Sequence, residues 1–327
     1  MDIMLIGLDE VGASIGLALG ELEDSVKRFG YDPDKQTGKK AHELGAVDEL
    51  LSHPRKASSR IDAAILSIPL KEKEAYLDLL GEKMKENAVI IDTGRLKTPA
   101  IQAASEYLPE SISYIGLTPI IGPDALVSAS PGTAEPRADL FQGGLAAMVI
   151  PPATSEAASE FALGLAAVLG ATPFFIEAGE HDAVTAVEDG LPFIFSSAFM
   201  NMMTTLPNWR ESRRLVGSTF AAFASFIGVH HASDLGTSMH QSRDVLLAKL
   251  NDFDEEIDRI RALLEMDDPE GLIDYLTRAE VSRNVLIKAR KRADWSGEEL
   301  EPSRMKEAGS FFGNLFGLTP RPPREEP

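Results

Sequence analysis

The sequence predicts an α/β fold, a doubly wound parallel sheet followed by an all-helical region. Three observations predict it. Short, nearly continuous apolar runs recur through the first half: "IMLIGL" (3–8), "KRFGYD" (27–32), "AAILSIPL" (63–70), "AVIIDT" (88–93) and "SYIGLTP" (113–119). Amphipathic stretches separate them, such as 73–86 and 98–107. After about residue 180 the strand signals stop. Strands apolar on both faces and spaced by helices belong to a parallel sheet covered on both sides.

The first element sets the theme. A strand, a glycine turn and a helix at 3–20 form the opening of a nucleotide-binding βαβ unit, so the sheet is of Rossmann type. The turn reads "GLDEVGAS" (7–14), in which Gly7 and Gly12 keep two of the three expected glycines and Asp9 replaces the middle one. That middle position is where the backbone approaches the pyrophosphate with no side chain between. A carboxylate ~4 to 5 Å from a phosphate oxygen costs roughly 3 to 4 kcal/mol at an effective dielectric near 20, about a hundredfold or more in affinity. Aspartate is also a favoured helix N-cap. The expectation is a phosphate cradle satisfied by the protein's own anion, and weak NAD binding.

The next strand ends in "GYDPD", placing Asp32 twenty residues after Gly12. A carboxylate there accepts hydrogen bonds from an adenosine ribose and disfavours a 2′-phosphate, so NAD is preferred over NADP; the alternative is a turn residue before Pro33. The cofactor-binding set read here is Gly7, Asp9, Gly12, Asp32 and Pro69. "LAAMVIP" and "TPFFIE" flank a helix at 155–169 and close the same domain, which is expected to span 1–178.

An all-helical dimerisation or substrate domain is expected over 179–292. Leu246, Leu250, Phe253, Ile257, Ile260 and Leu264 are spaced as a coiled-coil-like seam on one long helix, which Asp268 and Pro269 punctuate before another helix to about residue 291. The seam serves either a homodimer or packing within the chain. The basic run Lys288, Arg290, Lys291 and Arg292 suits a helix C-terminus. From 293 to 327 the chain is rich in Pro, Gly and charge, as a disordered tail would be, with Phe311, Phe312, Leu315 and Phe316 inside it.

A formal charge of -19 argues against nucleic acid or an anionic membrane as partner, and it requires any anion site to be local. The absence of cysteine excludes disulfides, thiolate metal sites and a cysteine nucleophile. No basic region precedes the first apolar run, and 191–206 is too short and polar to span a bilayer, so a cytoplasmic protein is expected. His230, His231 and His240 invite a metal reading, but adjacent histidines seldom share one ion. No metal is expected, and a relocated base or plain histidines are the other readings.

Taken in order, these segments resemble the prephenate/arogenate dehydrogenase family of tyrosine biosynthesis. "IGLDEVGASIGLAL", "GYDPD" with "AHELGAVDE", "VIIDTGRLK", "YIGLTPIIGP", "EHDAVTAVEDGLPF" and "SRDVLLAKLNDFDEEIDRIRALL" each parallel a family segment, over nearly all of 1–290. The resemblance implies oxidative decarboxylation: hydride passes from a ring carbinol to NAD(P), carbon dioxide leaves and the ring becomes aromatic. It places Thr118 where the family has its histidine base, and Arg95 where it has the assisting serine. Gly190 and Phe193 replace two further histidines. No Lys or Arg lies between Arg214 and Arg243, where the family keeps a substrate arginine.

Arg243 matches another family arginine; it contacts an anionic substrate or pairs with Asp244 or Asp234. Asp92, Gly94, Lys97, Pro119, Gly122, His181 and Asp182 survive in place and read as turn, cap and hinge residues. Threonine cannot take a proton at neutral pH. Three readings follow: an NAD-dependent dehydrogenase of this family, a catalytically inert dimeric relative that binds a metabolite or partner protein, and a dehydrogenase with a changed small-acid substrate anchored by Arg95.

Overall fold

The computed structural model describes residues 1–22, 25–128, 135–227 and 232–292. The tail at 293–327, with its phenylalanines, and the pair His230 and His231 lie outside the described residues. The described residues divide into two compact units, one of residues 1–127 with 135–178 and the other of residues 179–292.

The first unit is built on eight strands: β1 (Asp2–Ile6), β2 (Lys27–Tyr31), β3 (Glu49–Leu50), β4 (Ala63–Leu66), β5 (Val89–Asp92), β6 (Ser113–Pro119), β7 (Leu145–Val149) and β8 (Thr172–Phe175). Their spatial order is β3-β2-β1-β4-β5-β6-β7-β8. β1 shows why these strands read as continuous apolar runs. Ile3 and Leu5 pack into one layer and Met4 and Ile6 into the other, all four fully buried. Helices α1 (Glu10–Gly20) and α6 (Glu156–Val168) cover the first face, with Ile15, Leu19, Phe161 and Leu165 in the core. Helices α3 (Leu70–Gly81) and α4 (Thr98–Tyr107) cover the second, with Leu77, Leu80, Ala100 and Ala104. α2 (Lys35–Glu43) and α5 (Pro123–Ser128) complete the unit.

Three details differ from the expectation. β6 and β7 pair antiparallel, Thr118 opposite Ala147, within an otherwise parallel sheet. Between them the described residues hold only the six-residue α5, too short to be the crossover helix that parallel neighbours need. β3, which pairs with Phe29 and Gly30, has two residues and leaves no periodicity to read. The strand read as 63–70 stops at Leu66, and α3 starts at Leu70 rather than at 73. Pro69, at φ -57°, stands directly before that helix, where its missing N–H costs nothing.

The second unit holds helices and turns and no strand among its described residues. α7 (Ala178–Thr185) runs through a single π-type turn, Ala186–Gly190, into α8 (Leu191–Thr204). Pro192 explains the turn. It cannot donate to the carbonyl four residues back, and the widened turn absorbs that loss. After the short α9 (Trp209–Ser212) and α10 (Ser218–Ala224) come α11 (Ala232–Gln241), α12 (Arg243–Glu265) and α13 (Pro269–Arg292). The seam lies on α12 as expected, yet it is unevenly used. Leu246 is buried beside Gly190 and Phe253 stacks on Phe195 at 3.9 Å, whereas Leu264 is 63% exposed. α13 has no buried residue, and Ile273, Leu276, Val281, Val285 and Leu286 face solvent.

Candidate functional site

The carboxyl ends of β2, β1, β4, β5 and β6 lie side by side, so the turns that follow them form one edge. This is where ligands bind in open parallel sheets. Gly7, Asp9 and Gly12 follow β1, Asp32 follows β2, Pro69 lies in the turn after β4, Arg95 follows β5, and Thr118 is the penultimate residue of β6. Topology therefore gathers the cofactor set and both positions matched to the family's catalytic pair onto one edge.

The β1 turn is held by close backbone approach. Gly7 has φ +87°, and a Cβ there would collide with the Ser67 carbonyl. A Cβ on Gly12 would collide with the Gly7 carbonyl in the same way. Asp9 is the N-cap of α1. One of its carboxylate oxygens accepts from the Gly12 N–H at 3.0 Å and from the Ser67 hydroxyl at 2.9 Å. The protein's own anion thus takes donors of the first helical turn and of the β4 turn. Asp9 is exposed, so water screens part of the repulsion estimated above, and the penalty on a diphosphate falls to about tenfold. Ser67 was not singled out in the sequence; its one signal is a small hydroxyl directly after an apolar run.

Asp32 turns inward. Its two oxygens accept from the Leu8 N–H at 2.7 Å and the Asp34 N–H at 2.8 Å. Partial burial holds its carboxyl above the usual value and the charge of Asp9 adds to this, against the lowering effect of those two bonds. Glu10 is raised by the same causes, burial first and then Asp9. The lone pairs that remain on Asp32 suit a ribose, and its two bonds also make it the turn residue that the alternative described.

A different constellation lies under the β5 turn. Asp92 is fully buried; one oxygen takes the Lys73 Nζ at 2.7 Å and the other the Gly94 N–H at 3.0 Å. Lys97 Nζ lies 3.9 Å from Asp92 and donates to the carbonyls of Asp92 and Gly94, each at 2.7 Å. Burial opposes ionisation of Asp92, but the two ammonium groups hold its carboxyl below the ordinary value. Lys73 was not picked out in the sequence, although the signal was present. It sits in line with Leu70, Leu77 and Leu80 on the core-facing stripe of α3, where a cation is unexpected.

Arg95 is half-buried in the turn that Lys97 staples, and Thr118 is half-buried at the end of β6. In the second unit Arg243 pairs with Asp244 at 3.5 Å, both well exposed. The side chain of Asp234 lies outside the described residues. His181 is buried with Nδ1 3.4 Å from Asp182, and Phe193 is buried in α8. Among the described residues no group of three His, Cys, Asp or Glu is placed to hold a metal ion, and no helix is long and apolar enough to cross a membrane.

Residues 15–167 match the family described as prephenate dehydrogenase, nucleotide-binding domain. The chain is 24% identical over 295 residues to a prephenate dehydrogenase of Bacillus subtilis, covering 89% of this chain and 77% of that protein. It is 21% identical to a cyclohexadienyl dehydrogenase of Zymomonas mobilis, over 87% and 95% of the two chains. Among solved structures, prephenate dehydrogenase from Aquifex aeolicus in complex with hydroxyphenyl propionate and NAD+ superposes with a TM-score of 0.73 at 18% identity, covering 88% of this chain and 98% of that one. An arogenate dehydrogenase from Synechocystis gives 0.65 at 20% identity, over 88% and 100%.

Proposed function

Since the chain belongs to the prephenate/arogenate dehydrogenase family, we propose that it binds NAD along the carboxyl edge of the first unit, with reduced affinity, and lacks the proton acceptor of its relatives. The observation that carries this reading is the Asp9 carboxylate capping α1 inside the phosphate cradle, bonded to Gly12 and Ser67. The residues otherwise fit the cofactor. Gly7 and Gly12 leave room for close approach, Asp32 has acceptor capacity for a ribose, and Pro69 borders the same turn as Ser67. Bound NAD supplies the hydride acceptor. Thr118, at the position of the family's histidine, offers a hydroxyl that polarises a substrate oxygen but does not hold its proton.

The exposed apolar residues of α12 and α13 support a homodimer through the helical unit, within a cytoplasmic protein. Arg243 is available to an anionic substrate through its exposed guanidinium.

Calorimetry with NAD, and NADH formation at 340 nm with prephenate and with arogenate, test the reading together. The expected result is weak NAD binding that strengthens when Asp9 loses its charge, with turnover well below an ordinary rate of about 1 to 1000 per second. Ordinary turnover on either substrate overturns it.

A further inference from the structure

The connection from β6 to β7 passes the start of α1, and it is fastened there at two points. Ser14, fully buried in α1, donates its hydroxyl to the Glu10 carbonyl at 2.6 Å and accepts the Arg137 N–H at 3.1 Å. A helical serine commonly bonds back to its own preceding turn; here the same oxygen also takes an N–H from 123 residues along the chain. The Leu140 carbonyl accepts from the Gly122 N–H at 2.8 Å, in the loop after β6, and Leu140 and Phe141 enter the core layer that holds Ile15 and Leu19. Pro136, with its fixed φ, stiffens the approach. Residues 136–141 are thereby held between the start of α1 and the loop that follows β6.

This segment carries Arg137. Its guanidinium makes two bonds to the Asp139 carboxylate through Nε and Nη2, with the side chains 45% and 61% exposed. The bonds and charge of Asp139 hold it protonated, and the charge of Asp124 at the start of α5 adds to this. Asp9, Glu10 and Asp32 give the β1 and β2 turns three carboxylates, in a chain whose net charge is -19. A diphosphate drawn to the first N–H groups of α1 therefore needs a cation close by. Ser14 lies four residues, about 6 Å of helix, beyond Glu10. The Arg137 backbone bonded to it stands within one arginine side chain of the first turn. An exposed ion pair between near neighbours is weakly held, whereas a guanidinium meets two phosphate oxygens at once.

We propose that Arg137 exchanges Asp139 for the diphosphate of a bound dinucleotide, and so supplies from the β6–β7 connection the positive charge that the glycine turn lacks. Ser14 is the positioning residue that holds the Arg137 backbone in place. This rests on the NAD reading above and adds which side chain meets the phosphates.

The test follows NAD and inorganic pyrophosphate on the full chain by calorimetry at low salt, in wild type, Arg137→Gln and Asp139→Asn. Both substitutions break the same exposed ion pair, so a role confined to bracing the connection moves affinity in the same direction in both. Opposite directions are expected. NAD should bind about fivefold to tenfold more weakly in Arg137→Gln and about threefold to fivefold more tightly in Asp139→Asn, with pyrophosphate following NAD. Repetition in about 0.5 M salt separates contact from a distant field, which is screened within a few ångströms there. About twofold or more of the Arg137→Gln loss should remain. A loss that vanishes in salt, a shift of the same sign in both variants, or an unchanged Arg137→Gln overturns the proposal. Pyrophosphate bound through Arg137 without NAD binding sinks only the cofactor reading, NAD binding indifferent to Arg137→Gln sinks only this one, and binding of neither probe sinks both.

Discussion

At β1 and β2 the carboxyl edge of the sheet ends in Asp9, Glu10 and Asp32, whereas at β5, two strands beyond β1, it ends over Lys73, Lys97 and Arg95. The first cluster carries the Asp9 carboxylate in the turn that we propose faces a dinucleotide's phosphates. The second sets two ammonium groups around the one buried carboxylate of Asp92. The same backbone carries both, and neither required a change of strand order. The difference teaches that a sheet edge fixes where ligands lie, while a few side chains at its turns decide the charge they must carry.

The largest effect is expected from Asp92→Asn. It removes the carboxylate that the buried Lys73 ammonium bonds at 2.7 Å and should lower stability by about 3 to 5 kcal/mol in urea unfolding. A loss near the size of a surface substitution would mean that the β5 cluster is not held by charge, and the contrast between the two ends would dissolve.

Asp9→Asn comes next. Asparagine caps a helix as well as aspartate does, so the melting temperature should hold while NAD affinity rises about tenfold at low salt. The gain should shrink as salt is added. An affinity that does not move shows the acidic end to be indifferent to phosphate.

Acid titration sharpens the comparison further. Glu10 and Asp32 are raised, so folding favours their protonated forms, and their strain is relieved as pH falls toward the raised values. Asp92 is lowered. Its stabilising contribution is present above the unfolded value of about 3.9 and is lost only as pH falls through the depressed folded value. As pH falls toward those raised values the acidic end should gain while the basic end loses nothing, and Asp9→Asn should trim the gain without abolishing it, since burial is the larger cause. Melting temperature against pH for the two proteins reads this directly.

The smallest effect is expected at Arg243→Ala. Its pair with Asp244 is exposed on both sides, so stability should change by less than about 0.5 kcal/mol. A clearly larger loss would show that the pair is held more tightly than two exposed side chains allow.

Much of the sheet was legible because burial on both faces writes strands as unbroken apolar runs, as Ile3 to Ile6 show. Asp9 was legible because its turn departs from a spacing with a known physical purpose. β3 was not, since two residues carry no period, and the reversal of β7 was not, since a strand's own composition does not state its direction. Ser67 and Lys73 escaped for another reason. Each acquires its meaning from a partner far along the chain, Asp9 fifty-eight residues away and Asp92 nineteen away.

By itself the sequence determined most of the order of strands and helices, the altered glycine turn and the scarcity of positive charge. These are properties of composition and local spacing, and hydrophobic periodicity or backbone sterics suffice to express them. Tertiary structure alone decided that Asp9 bonds across to Ser67, that two lysines converge on one carboxylate, and that part of the α12 seam stays uncovered within the described residues. Those outcomes depend on which side chains meet once the sheet closes. Electrostatic and packing energies belong to pairs brought together through space, and the linear order of residues does not state which pairs will form.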